Sequence, residues 1–109
     1  MKLALSSQGE TLDSELSGFG RCRYFILYDT KTKEVSLLSN EGNMMAGRGA
    51  GTRTAQDVVK TGAEAIITSQ IGPKAVSYLK GKKMPVHVSK AQPVQQAVQE
   101  YLEGKLQAI

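Results

Sequence analysis

Residues 43–57 read Asn-Met-Met-Ala-Gly-Arg-Gly-Ala-Gly-Thr-Arg-Thr-Ala-Gln-Asp and lead into a helical pattern. Three glycines alternate in this stretch: Gly47, Gly49 and Gly51. Glycine lets a backbone turn sharply or approach a ligand closely. Thr54 and Asp57 have the spacing of a helix capping box, with Asp in place of Glu or Gln. The free N–H groups and positive dipole end of such a helix attract anions, so we predict an anion-binding loop.

On the C-terminal side of this loop the sequence alternates between helical and strand patterns. Three helices are predicted: one ends at Gly62, one runs from Pro73 to Gly81, and one runs from Pro93 to Gly104. Two short apolar runs between them predict strands at residues 65–68 and 85–88. Alternating strands and helices favour parallel strands joined by right-handed crossovers.

On the N-terminal side of the loop three strands are predicted, at residues 3–6, 24–28 and 35–38. A polar turn joins the second strand to the third, which indicates an antiparallel hairpin. The element order is therefore β-β-β-α-β-α-β-α. We predict an α/β fold with a mixed five-stranded sheet covered by helices, in a single domain that spans residues 1–109.

The carboxyl ends of the parallel strands should form a ligand-binding edge. Four segments are predicted to meet there: residues 6–7, 18–23, 40–53 and 69–73. All four arginines of the chain lie in two of these segments: Arg21, Arg23, Arg48 and Arg53. Arginine is well suited to binding oxyanions and other delocalised anions, whereas chance placement on the surface is the alternative.

Composition excludes several classes of protein. The chain has 109 residues and a net charge of +4, which favours anionic partners without requiring nucleic acid. One cysteine allows no internal disulfide, and no apolar run is long enough for a signal peptide or a membrane span. We expect a cytoplasmic protein that binds neither nucleic acid nor membrane.

Several motifs, in this order and spacing, resemble the dinitrogenase iron–molybdenum cofactor biosynthesis family, the small nitrogenase accessory factor-like domains. They are Gly18-Phe19-Gly20-Arg21, Gly49-Ala50-Gly51, Gly72-Pro73-x-Ala75-x-x-x-Leu79 and the closing stretch 94–106. The resemblance implies a three-layer α/β/α fold with a ribonuclease H-like motif and sheet order 3-2-1-4-5. It also implies binding or carriage of a molybdenum- or iron-containing metal–sulfur cluster, without catalysis, and a cofactor-assembly or acceptor protein as partner.

From the resemblance and the anion-binding loop together we predict a cofactor-binding site. Its residues are Gly18, Phe19, Gly20, Arg21, Met44, Met45, Arg48, Gly49, Gly51, Arg53 and Gly72. The family's usual His-Phe-Gly reads Gly18-Phe19-Gly20 here, and the soft residues near the glycine loop are methionines instead of His or Cys. A thiometallate cluster is anionic and brings its own sulfides, so we expect arginines and backbone N–H groups to hold it non-covalently.

Two single residues each allow two interpretations. Cys22 could ligate a metal, or it could be a small buried hydrophobe. His87 could be a metal ligand, although a packing role is favoured because no second ligand lies at metal-binding spacing.

The same residues also bear on other functions. A two-metal nuclease needs carboxylates at the site edge, and strands one and four offer none. The chain contains no Gly-x-Ser-x-Gly motif, which argues against a hydrolase of that type. A nucleotide- or phosphate-binding module stays open, although the glycine run follows neither phosphate-binding fingerprint. A protein-interaction domain without a small ligand is the third alternative.

Overall fold

The computed structural model describes residues 1–44 and 50–109. In these residues six strands and four helices follow one another along the chain. They are β1 (Lys2–Ser7), β2 (Tyr24–Asp29), β3 (Val35–Ser39), α1 (Glu41–Met44), α2 (Ala50–Lys60), β4 (Ala65–Thr68), α3 (Pro73–Gly81), β5 (Val86–Val88), α4 (Val94–Leu102) and β6 (Gln107–Ala108).

The strands form one mixed sheet in the order β3-β2-β1-β4-β5-β6. β1 pairs antiparallel with β2 and parallel with β4, so it joins an antiparallel half to a parallel half. β4 and β5 are parallel, whereas β5 and β6 are antiparallel. The predicted order of five strands is confirmed, with β6 added at one edge.

Two apolar cores lie on opposite faces of the sheet, which makes the fold a three-layer sandwich. On one face α2 and α3 bury Val58 and Leu79 against Phe25 and Ile66. On the other face α4 buries a smaller core: Val94, Ala97 and Val98 against Leu3, Leu5, Ile26, Ala65 and Ile67. Residues alternate between the faces along each strand because successive side chains of a strand point in opposite directions.

Helix starts and stops largely follow the predicted signals. Pro73 is the first residue of α3, where its missing N–H costs no hydrogen bond. Gly62 and Gly104, which follow α2 and α4, have φ angles of +81° and +73°. This left-handed conformation strains residues that carry a Cβ, which explains glycine at both helix ends.

The predicted capping box at Thr54 and Asp57 is wrong. α2 begins at Ala50, so Thr54 lies inside the helix and is fully buried. Its hydroxyl donates a hydrogen bond of 3.0 Å to the side-chain oxygen of Asn40. A tertiary partner that is 14 residues distant in sequence has replaced the local capping role.

No pattern in the sequence predicts α1 or β6. α1 has four residues and contains Gly42, a poor helix former. β6 has two exposed residues that pair with His87 and Val88 of β5. Both elements are too short to show a periodic pattern, so they depend on contacts with the rest of the fold. None of the helices in residues 1–44 and 50–109 is long and apolar enough to cross a membrane.

Candidate functional site

Buried hydrogen bonds tie the loop before β2 to the carboxyl ends of β1 and β4. The hydroxyl of Ser6 lies 2.7 Å from the hydroxyl of Thr68, and both are within hydrogen-bond distance of the Ser17 carbonyl. All three residues are at least nine-tenths buried. Polar side chains at these strand ends therefore hold the loop against the edge of the sheet.

Phe19 fixes the position of the glycines on either side of it. Its ring is buried and makes an edge-to-face contact with Phe25, with the ring centroids 5.2 Å apart. Its backbone N–H donates to the Gln70 carbonyl at 2.8 Å, and Gly18 forms a bridge with the same residue. Residues 18–21 consequently lie beside the segment that connects β4 to α3.

Two glycines lie where the first turns of α2 and α3 approach this loop. A Cβ placed on Gly20 would lie 3.5 Å from the Cα of Gly51, and one on Gly51 would lie 3.6 Å from the Cβ of Ala75. Both distances are ordinary van der Waals contacts, so a methyl group would just fit at either position. Gly20 and Gly51 thus mark where the loop and the first turns of both helices pack against one another.

An open cleft of about 480 Å³ lies between these three segments, at the edge of the sheet where β1 and β4 end. Its described lining consists of Gly18, Phe19, Gly20, Arg21, Gly51, Thr52, Gln70, Ile71, Gly72, Pro73, Lys74 and Ala75. The predicted edge of the sheet is therefore where the structure places a cavity large enough for a small ligand.

The electrostatic character of the cleft is positive. Its described lining contains two charged residues, Arg21 and Lys74, and both are exposed cations. Residues from the first turns of two helices also line it, and neither α2 nor α3 has an acidic residue in its first turn. Gly72, the N-cap of α3, has no side chain that could cap the helix, so first-turn N–H groups stay available.

The structure brings six of the predicted site residues together around the cleft: Gly18, Phe19, Gly20, Arg21, Gly51 and Gly72. Arg53 of α2 and Arg23, which precedes β2, are both exposed, and neither belongs to the described lining. Met44 is the last residue of α1. The predictions for Met45, Arg48 and Gly49 lie outside the described residues.

Lys74, the second charged residue of the cleft, was not predicted from the sequence. The predicted site contains arginines as its only cations. A signal was present, because Lys74 directly follows the proline that was predicted to open a helix after strand four. Thr52, Gln70 and Ile71 were missed as well, and nothing in their residue types marks them as ligand-binding.

Cys22 lies next to the cleft in sequence but points into the core. It is fully buried, and its thiol donates a weak hydrogen bond of 3.4 Å to the Phe19 carbonyl. Burial raises the pKa of Cys22 to about 12 from its usual 9.0. Because a thiol binds metal as the thiolate, this environment favours the interpretation of Cys22 as a buried hydrophobe.

We expect the native protein to resist alkylation of Cys22 by iodoacetamide at pH 8, where a free thiol reacts readily. The raised pKa stabilises the neutral thiol in the folded state. The contribution of this pKa shift to the free energy of unfolding is complete below the unfolded pKa near 9.0. It is lost as the pH rises toward about 12. Mass spectrometry of samples labelled with and without urea measures the effect. Equal labelling rates in both samples would contradict the buried position.

His87 also takes a packing position. Its ring makes an edge-to-face contact with Tyr101 of α4, with the ring centroids 4.9 Å apart. Burial lowers the pKa of His87, which favours the neutral imidazole. Among residues 1–44 and 50–109 there is no cluster of three or more His, Cys, Asp or Glu side chains that could hold a metal ion.

Comparison with known proteins gives the family. The chain belongs to the dinitrogenase iron–molybdenum cofactor family, whose model matches residues 1–104. It is 32% identical to an uncharacterized protein of Methanocaldococcus jannaschii, over 98% of this chain and 90% of that protein.

Two solved structures are similar over nearly the whole chain. The apo form of the orange protein from Desulfovibrio gigas has a TM-score of 0.94 and 30% identity, over 99% of this chain and 92% of that one. An NMR structure of a Thermotoga protein, described as a candidate NifB protein, has a TM-score of 0.85 and 32% identity. That alignment covers 98% of this chain and 91% of the Thermotoga chain.

Proposed function

We propose that this protein binds an anionic metal–sulfur cluster of molybdenum, iron or copper type, or a precursor of it, in the cleft between α2, α3 and the loop 18–21. The protein acts as a non-catalytic carrier in cofactor assembly or metal handling. Membership in the dinitrogenase iron–molybdenum cofactor family supports the class of ligand. A cofactor-assembly or acceptor protein would then receive the cluster.

The observation that carries the proposal is the convergence of positive groups without a carboxylate in the described part of the cleft. Two helix N-termini, Arg21 and Lys74 all lie at one cavity. Each helix end carries a partial positive charge, and the first turn of α3 has no side-chain cap. Together they suit a multiply charged anion better than a neutral ligand or a cation.

The apolar part of the lining distinguishes between kinds of anion. Phe19, Ile71, Pro73 and Ala75 contribute to the same cleft as the cations. An oxyanion such as phosphate or molybdate loses strong hydrogen bonds with water when its oxygens face carbon. Sulfide ligands are softer and accept weaker hydrogen bonds, so a thiometallate loses less on entering such a cleft. We therefore expect preference for sulfur-terminated anions.

The experiment mixes purified apo-protein with tetrathiomolybdate, alone or with copper or iron, under anaerobic conditions and separates bound from free anion by gel filtration. We expect metal to co-elute with the protein and a new absorption band to appear. Molybdate and ATP serve as comparison ligands, and a bound ligand raises the melting temperature. If ATP raises it and thiomolybdate does not, the nucleotide-binding alternative replaces this proposal.

A pair of variants tests whether Arg21 contacts the anion. Arg21→Ala should raise the Kd for the thiometallate about tenfold, which corresponds to ~1.4 kcal/mol. Arg23→Ala is the matched control, because Arg23 is also an exposed arginine two positions away but does not belong to the described lining. Both Kd values can be measured by titrating the absorption band. Equal losses in the two variants would indicate a general charge effect and no specific contact.

A further inference from the structure

The outer edge of β3 has the features of a strand that pairs with another chain. Within residues 1–44 and 50–109, β3 pairs only with β2, so its other side carries free backbone groups. The strand reads Val-Ser-Leu-Leu-Ser and contains neither proline nor a charged residue. Proteins usually protect free edges with such residues. Val35 and Leu37 are each 43% exposed on this unprotected strand.

The hydrogen bonds next to β3 show which backbone groups point outward. The N–H of Asn40 donates to the Arg23 carbonyl at 2.8 Å, and the N–H of Asp29 donates to the Glu34 carbonyl at 3.0 Å. In an antiparallel pair, residues that bond to the neighbouring strand alternate with residues that face away. Glu34 and Asn40 bond to β2 or its flanks, so Val35, Leu37 and Ser39 direct their N–H and C=O groups to the free edge.

We propose that β3 pairs antiparallel with β3 of a second copy of this chain, around a two-fold axis through Leu37. With a two-fold axis perpendicular to the sheet, the corresponding faces of the two copies lie on the same side of the combined sheet. Residues that lie directly opposite each other must therefore belong to the same face. The register that places Leu37 opposite Leu37 of the second copy meets this condition and pairs all five residues of the strand. The outward N–H and C=O groups of Val35, Leu37 and Ser39 then find partners in the second copy.

Charge and side-chain burial favour this occupant. In the proposed register Lys33 lies opposite Glu41 of the second copy, just beyond the end of the strand ladder. Both side chains are exposed. The pairing also covers part of Val35 and Leu37, which share the sheet face of α4. Head-to-tail pairing with the opposite edge of the sheet is less favourable, because β6 has only two residues. The contact therefore closes as a dimer.

Light scattering coupled to gel filtration, at protein concentrations up to the millimolar range, tests the proposal. We expect twice the monomer mass for the wild-type protein and the monomer mass for Leu37→Lys, which places a charge at the axis. Ile109→Lys is the matched control, because Ile109 is 48% exposed and its N–H donates to the Val86 carbonyl, on the side of the sheet opposite β3. A wild-type monomer, a larger oligomer, or equal loss of the dimer in both variants would overturn the proposal.

Cross-linking tests the register directly. In a Cys22→Ala background, Leu37→Cys should form an intermolecular disulfide on mild oxidation, because opposed Cα atoms in a bonded antiparallel pair lie about 5.5 Å apart, within disulfide range. Ser36→Cys, one residue earlier on the same strand, faces Leu38 of the second copy and should stay unlinked. Equal cross-linking of the two variants, or none for Leu37→Cys, would exclude this register.

Discussion

Gly72→Asp is expected to abolish binding of the thiometallate while leaving the fold intact. Gly72 precedes α3 with φ −81° and ψ 160°, an extended conformation that any residue can adopt before a proline. A Cβ at this position would meet no atom within 4 Å. Neither the backbone conformation nor the packing of the fold therefore requires glycine at this position, which lines the cleft.

The expected loss comes from charge. For an anion centred ~6 Å from the new carboxylate, the repulsion is about 3 kcal/mol per unit of anion charge at an effective dielectric of ~20. This corresponds to at least a ~100-fold increase in Kd. Asp is a favourable N-cap, so the free energy of unfolding should rise slightly, by a few tenths of a kcal/mol.

Gly72→Asn is the matched control for this experiment. Asn caps a helix about as well as Asp and accepts hydrogen bonds from the same first-turn N–H groups, but it carries no charge. The difference in Kd between the two variants therefore isolates the electrostatic contribution. Circular dichroism melts show that both variants are folded. If Asp and Asn bind the anion equally well, the ligand does not lie at the N-terminus of α3.

Asn40→Ala is expected to have the largest effect on stability, a loss of about 2–4 kcal/mol in the free energy of unfolding. Asn40 is 2% exposed. Its side-chain nitrogen donates to the Cys22 carbonyl at 2.9 Å. Its side-chain oxygen accepts from the Thr54 hydroxyl and the Asn43 amide, both at 3.0 Å. Removing this side chain leaves buried polar groups without partners, which costs more than one net hydrogen bond.

Urea denaturation with a constant m-value measures the loss, and the melting temperature should fall by roughly 10 °C. Thr54→Val is the graded control. It removes one hydroxyl with little change in side-chain volume, so its cost should be about 1–2 kcal/mol. Because both residues share a hydrogen bond, the double variant should lose less than the sum of the two. Additive losses would show that the 3.0 Å contact contributes little.

This network also connects the end of β3 to α1 and α2. Asn43 of α1 donates to Asn40 at 3.0 Å and to Asp57 of α2 at 2.8 Å. Asn40 thereby links the end of β3 to the helices that precede and follow residues 45–49. Asn43 is three residues from Asn40, but Thr54 and Cys22 lie 14 and 18 residues away in sequence. The sequence therefore provides no local signal for the network as a whole.

The sequence predicted the course of the chain well because local chemistry encodes it. Proline and glycine mark the ends of the helices, and short apolar runs mark the buried strands. β4 occupies residues Ala65–Thr68, the range predicted for it. The resemblance supplied the strand order, which alternation alone leaves open, and the structure confirms that order.

The structure has a cleft at the predicted edge of the sheet, and the sequence identified only one of the two charged residues in its described lining. The rule that ligands bind at the carboxyl ends of parallel strands located the edge. Whether a given side chain reaches the cavity depends on the rotation of its helix or loop. Lys74 lies in the lining and Arg53 does not, although both belong to the first half of a helix next to the cleft.

The sequence alone predicts the element order, the division of the sheet into a parallel and an antiparallel half, and a glycine-containing edge that suits an anion. These features follow from residue periodicity and backbone conformational preferences, which act within a few residues. The tertiary structure alone decided that Cys22 and Thr54 point inward, that Lys74 lines the cleft, and that α1 and β6 form. Each of these outcomes depends on contacts between distant segments, and such contacts exist only once the chain has packed.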